Sequence, residues 1–95
     1  MNTGTYESLI LTEKGNAELV ELIIDKCKEI ISNNEGNFER VDDWGIKKLA
    51  YEIKGNLEAT FTLLTFKGTR EIVKKLEAYL KTDEKVLRHI FIRIN

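Results

Sequence analysis

Cys27 and His89 are the only cysteine and the only histidine in the chain. Together they supply two soft donors, too few for a structural zinc site, which takes four ligands. A nucleophilic site would need a Ser or Cys against a histidine that is itself held by an acid. Cys27 shares a helical register with Leu19, Val20, Ile23, Ile24, Ile30 and Ile31, so it reads as a buried, inert thiol. His89 lies inside the apolar run Val86 to Ile94 and reads as a structural or interface histidine rather than a catalytic one. Asp42-Asp43 and Asp83-Glu84 are adjacent acids. Neighbouring residues of a strand point to opposite faces, so Asp42 and Asp43 do not converge as an acid/base or metal pair. The glycines stand singly, which excludes a glycine-rich phosphate loop and a dinucleotide fingerprint. Nothing here assembles a nucleophile, a base and an oxyanion donor. The chain reads as a non-enzyme with no cofactor, no metal and no small-molecule substrate.

The remaining chemistry is charge and aromatic surface. Fifteen basic residues oppose sixteen acidic ones, a net charge of -1, which argues against a sequence-blind nucleic-acid binder acting alone. The charge is unevenly placed. Residues 1–45 carry four basic and ten acidic groups, whereas residues 46–95 carry eleven and six. A near-neutral total therefore hides a bipolar molecule, with a basic half able to face an anionic partner. Lys47, Lys48, Lys81, Lys85, Arg88 and Arg93 are the groups that could meet phosphate. Tyr6, Trp44, Tyr51 and Phe61 offer surfaces for base stacking or protein contact. The octamer of RNA-recognition motifs is absent from Phe61-Thr62-Leu63-Leu64-Thr65-Phe66.

These residues need a scaffold, and 95 residues make one domain, spanning 1–95. At 42% hydrophobic and 33% charged, the chain has the material for a core. One cysteine needs no oxidised framework and fits a reducing compartment. The N-terminus lacks the basic and apolar regions of a secretory signal, and no apolar run is long enough to span a membrane. Thr5 to Thr12 reads as a first strand, apolar on both faces and so central. Asn16 can cap the amphipathic helix that follows, and Ser32 to Gly36 stops it, with Asn or Gly taking the left-handed conformation. Asn37 to Ile53 reads as one long strand bent or bulged at Gly45. After a loop at Lys54-Gly55-Asn56, Glu58 to Phe66 returns as its hairpin partner. Thr69 can cap a second helix bearing Ile72, Val73, Leu76, Tyr79 and Leu80 on one face, and Val86 to Ile94 forms the last strand. The order β-α-β-β-α-β is the ferredoxin-like split βαβ arrangement of the α+β class: a four-stranded antiparallel sheet with both helices on one face. Strands one and three take the centre and strands two and four the edges. Phe61 and Leu63 alternate with Thr62 and Leu64, so both sheet faces carry large apolar groups. The face without helices is then an apolar patch of the kind that marks a partner site.

Trp44-Gly45-Ile46-Lys47-Lys48-Leu49-Ala50-Tyr51-Glu52-Ile53 resembles the signature stretch of bacterial small-subunit ribosomal protein six: a Gly, two mostly basic positions, Leu-Ala-Tyr and an Ile. Tyr6-Glu7 matches that family's early Tyr-Glu pair. Asp83-Glu84-Lys85-Val86-Leu87-Arg88-His89-Ile90 resembles its final strand. The three stretches fall in the family's order across nearly the whole chain. The chain departs from the family in having Ala59 where Gly is frequent, no Pro after strand one, no basic pair near the start and no polar tail after Ile94. The resemblance implies the split βαβ fold and a structural role on the ribosome, in the cytoplasm. It also implies joint binding of the central domain of small-subunit ribosomal RNA with ribosomal protein eighteen. Carried onto this chain, the RNA-facing residues are Lys47, Lys48, Lys85, Arg88 and Arg93. Alternation along the edge strand and the open face makes Trp44, Tyr51, Phe61 and Leu63 the protein-facing ones. The alternative reading is a small-molecule-sensing or dimerising regulatory module, because the same topology serves such domains.

Overall fold

The computed structural model describes residues 3–95. The elements are β1 (Gly4–Thr12), α1 (Ala17–Asn33), β2 (Asn37–Ile53), β3 (Asn56–Gly68), α2 (Arg70–Thr82) and β4 (Val86–Arg93). Helix α1 starts where Asn16 Oδ1 accepts from the Leu19 N–H at 3.0 Å, satisfying one of the orphan donors of the first turn. It ends differently from expectation. The left-handed residue is Glu35, at φ 63°, rather than an Asn or Gly36. Gly36 is needed for closeness instead: its N–H donates to the Ile31 carbonyl at 2.8 Å, and a Cβ there would stand 2.6 Å from Ile72 Cδ1 and 2.8 Å from Ile31 Cγ2. Thr69 does occupy the N-cap of α2, but its side chain makes no capping bond. Its carbonyl accepts from Ile72 and Val73 at 3.1 and 3.3 Å.

The sheet is antiparallel throughout, in the order β2-β3-β1-β4, so β1 and β3 are central and β2 and β4 are edges, as the crossover rule and the two apolar faces of the first strand implied. Lys54 (φ 48°) and Gly55 (φ 82°) form a two-residue turn between β2 and β3. Two left-handed residues match the strand twist of a hairpin, and Asn56, expected in the loop, instead opens β3. Gly45 takes φ 78°, the ladder shifts between Asp43 and Gly45, and the Gly45 N–H donates to Asp43 Oδ1 at 2.8 Å. This is the bulge the lone glycine predicted.

Both helices cover one face of the sheet. Tyr6, Ile10, Leu64, Phe66 and Val86 meet Ile23, Ile24, Cys27, Ile31, Ile72, Leu76 and Leu80 there. The helix spacings of three and four thus feed a single core with the alternate residues of the central strands. Phe66 is fully buried and stacks on Tyr6 with ring centroids 5.6 Å apart. A second, smaller cluster lies on the open face, where Leu11, Ala59 and Leu87 are buried beneath Leu9, Leu49, Ile53 and Phe61.

Candidate functional site

Cross-strand partners share a face, so the register decides which side chains meet on the helix-free side. Leu11 lies opposite Phe61 and Arg88; Leu9 opposite Leu63 and Ile90; Glu7 opposite Thr65 and Ile92. One open face therefore displays three rows of side chains across three strands. Its fourth contributor is the outer part of β2. The ladder with β3 breaks between Lys48 and Ile53, and residues 49–52 leave it. Leu49 and Ile53 fold onto the small open-face cluster. Tyr51 reaches across to β4, where its hydroxyl accepts from Arg88 Nη1 at 2.6 Å and the guanidinium lies 5.7 Å from its ring centroid. The stretch 44–53 and the stretch 83–90, far apart in the chain, thus join at one residue pair. Lys54 Nζ adds a second tie to the Val86 carbonyl at 3.5 Å.

The protein-facing residues expected from alternation divide into two kinds. Tyr51 and Trp44 are exposed, at 58% and 47%. Phe61 is half-buried, and Leu63 is only 9% exposed: Leu63 sits on the open face as expected but is largely covered, on a central strand between Leu9 of β1 and Asp42 of β2. A further apolar row, not expected from alternation, lies on the other edge strand. Ile90 and Ile92 stand two apart on the open side of β4, Ile94 continues the row, and all three are exposed. The signal was present as isoleucine at every second position from Ile90 to Ile94, but whether that row faced helices or solvent depended on the register.

The basic residues do not form one patch. Arg88 is on the open face, whereas Arg93 pairs with Tyr6 on the helix side and lies 5.8 Å from its ring centroid. Lys85 precedes β4 and pairs with Glu13 at 3.1 Å. Lys47 and Lys48 are exposed in β2 opposite Ala59 and Glu58. Lys14 binds the Glu58 carboxylate, and this hydrogen bond, with the lysine charge, holds that carboxyl below its ordinary range. Lys14, Lys47, Lys48, Lys54, Lys85 and Arg88 thus gather around the hairpin end of the sheet, and Arg93 stands at the other end.

The two reactive side chains are accounted for by packing. His89 is on the helix face, edge-on to Phe91 and 3.8 Å from Glu77. Cys27 is fully buried, and loss of solvation pushes its thiol up to about 12 from 9.0. The unfolded thiol ionises near 9 while the folded one stays protonated. The folded state then binds more protons, and stability falls as pH rises, by at most about 1.4 kcal/mol per pH unit for this group. Burial also raises the Tyr79 hydroxyl, which adds a loss in the same direction at still higher pH. We expect urea midpoints to decline between about pH 9 and 10, and Cys27→Ala to flatten that decline. An equal slope in the variant would show that another group causes it.

Among the described residues no three His, Cys, Asp or Glu side chains gather as a metal site, and no helix is long and apolar enough to cross a membrane. A family model, Ribosomal protein S6, matches residues 5–93. The chain is 36% identical over 90 residues to the small ribosomal subunit protein bS6 of Pelobacter propionicus, covering 94% of this chain and 70% of that one. It is 37% identical over 91 residues to that of Clostridium kluyveri, covering 95% and 96%. Its fold superimposes on the crystal structure of 30S ribosomal protein S6 from Thermotoga maritima with a TM-score of 0.86 and 26% identity, covering 97% of this chain and 88% of that one. The β-α-β-β-α-β sheet, the non-catalytic surroundings of Cys27 and His89, and these matches agree: the chain belongs to the ribosomal protein S6 family, as a structural, non-enzymatic constituent of the small ribosomal subunit.

Proposed function

We propose that this chain binds the central domain of small-subunit ribosomal RNA jointly with ribosomal protein eighteen. In this reading the open sheet face receives the protein and the hairpin end receives the RNA. The observation that carries the reading is the junction of Tyr51 and Arg88. It sets an exposed aromatic between the isoleucine row of β4 and the lysines of the hairpin. An apolar centre with a charged rim is the anatomy of a protein interface. Tyr51, Trp44, Phe61 and Ile92 form the protein side, with Leu63 as support beneath. Lys47, Lys48, Lys85 and Arg88 form the RNA side. Arg93 stands outside this set by its place on the other face and at the other end of β4. Family membership favours this over a ligand-sensing module, for which the topology was the whole argument.

A chain with net charge -1 releases few counterions alone, so its own RNA affinity is expected to be weak and to rise strongly with the partner. Filter binding of the pair to a central-domain fragment across a salt series tests this. Lys47→Ala and Lys48→Ala should each weaken binding to all fragments. Each should also flatten the salt slope by about 0.7–0.9 for every phosphate that the variant no longer neutralises. Tight, salt-insensitive binding by this chain alone, or unchanged slopes in both variants, refutes the assignment.

A further inference from the structure

On the helix side of the sheet, α1 leaves β2 partly uncovered, and an open groove of about 810 Å³ lies between them. That volume is within the range of about 300–1,000 Å³ usual for small-molecule sites. The register places Val41 opposite Leu64, Asp43 opposite Thr62 and Ile46 opposite Thr60, on the side that carries the main core. Val20 and Ile24 of α1 form the facing wall. Val41 and Ile46 are 40% and 54% exposed, so this apolar lining is only partly satisfied within the chain. In the floor, Thr62 is almost entirely buried, and its Oγ1 has no hydrogen-bond partner. A buried hydroxyl in that state is costly, and a donor seated on the floor would relieve it.

Charge specifies the occupant. Glu21, Asp25 and Asp43 line the groove, and among the described residues none of the three is in an ion pair. Asp43 uses only Oδ1, which accepts from the Gly45 N–H. The one base in the lining, Lys28, is held over the Phe38 ring at 4.6 Å. Three acids against one base repel nucleotides and fatty acids and select cations. Glu21 and Asp25 are one helical turn apart on α1 and project together, whereas Asp43 stands on the β2 wall. Among the described residues no three such groups gather closely enough to hold one metal ion. The fitting cation therefore carries its charge at separated points with apolar surface between them. We propose that the groove binds a linear aliphatic diamine or polyamine. Its methylene chain lies between Val20 and Ile24 on one side and Val41 and Ile46 on the other. One ammonium meets Glu21 and Asp25, and another meets Asp43 and donates to Thr62 Oγ1. Exposed ion pairs are individually weak, so the methylenes supply the selectivity, at up to about fourfold in affinity for each one buried. The site faces away from the open sheet face and does not rest on the reading above.

The test titrates the full chain, labelled with ¹⁵N, with 1,8-diaminooctane, 1,4-diaminobutane, octanoate and Mg²⁺ at one fixed ionic strength. Both diamines should shift amides of α1 and of β2 around Val41 to Ile46, the octane compound with a Kd below about 1 mM. It should bind about tenfold more tightly than the butane compound, because its four extra methylenes are partly buried. Octanoate and Mg²⁺ should leave the groove amides in place. The double variant Glu21→Gln with Asp25→Asn should weaken the octane compound about tenfold. Glu29→Gln with Asp42→Asn removes the same charge outside the groove and should change binding by less than about twofold, because distant exposed charges are screened. Val41→Ser with Ile46→Ser should erase the preference for the longer chain. All these positions are at least partly exposed, and circular dichroism confirms that each variant is folded. The proposal is overturned if Mg²⁺ reproduces the shifts, if chain length has no effect, if both charge variants weaken binding equally, or if neither diamine binds below about 1 mM. It is equally overturned if the groove amides shift with protein concentration alone, because the occupant is then a second copy of the chain.

Discussion

Phe66→Ala is expected to cost about 3–5 kcal/mol of folding stability, the range for deleting a buried aromatic ring. Phe66 has no exposed surface, sits on the central strand β3 and stacks on Tyr6. It lies opposite both Tyr6 and Phe38, so it joins β1 and β2 through one position of the ladder. The neighbouring glycines leave little room for collapse into the space. A Cβ at Gly68 would already stand 2.7 Å from Ile72 Cδ1, so Ile72 is wedged between Gly36 and Gly68 and cannot slide far. A cavity that cannot close costs the transfer energy of the ring and the cavity term together. Phe66→Leu keeps most of the volume and should cost less than half as much. Urea denaturation with an unchanged m-value measures both. A loss below about 1.5 kcal/mol for the alanine variant would mean that the core repacks around the deletion, contrary to this geometry. Because Phe66 faces the helices, the folded fraction of either variant should still bind the protein partner normally.

Ile92→Asp is expected to do the opposite. Ile92 is 55% exposed on the open face beside Ile90, so a carboxylate there stays in water in the free protein and should change stability by about 0.5 kcal/mol or less. In the proposed complex with ribosomal protein eighteen the same charge is desolvated without a partner. The affinity should fall by about 2 kcal/mol or more, roughly thirtyfold. Tyr51→Ala should cost about 1 kcal/mol or more of affinity with little change in thermal stability. Leu63→Ala supplies the contrast: at 9% exposure it should lose about 2 kcal/mol of stability and little affinity once folded. Calorimetric titration of each variant with the purified partner, beside its melting curve, separates the two patterns. Normal binding by Ile92→Asp would place the interface elsewhere.

The helices, the strands and their order were legible in the sequence because each rests on a local physical signal. The three-to-four spacing from Leu19 to Ile31 needs only one helix to make sense, and Asn16 marks its start within three residues. The bulge at Gly45 and the turn at Lys54-Gly55 follow from backbone sterics at single positions. Cys27 could be read as inert because its neighbours in the helical register are all apolar. Connection rules then narrowed the topology to the one observed. Three things were decided only in the tertiary structure. Glu35, not a glycine, takes the left-handed turn, because Gly36 is committed to the close approach of Ile31 and Ile72. Arg88 and Arg93 part to opposite faces, and the isoleucines of β4 fall on the open one, because the register with β1 assigns the faces and no local pattern encodes that register. The union of Tyr51 with Arg88 is the third: it arises where residues 49–52 leave the ladder and fold over the sheet. Periodicity tells which residues of an element share a side. Which side faces helices, solvent or a distant strand is set by long-range pairing, and in this chain that pairing is what assembles the candidate interface.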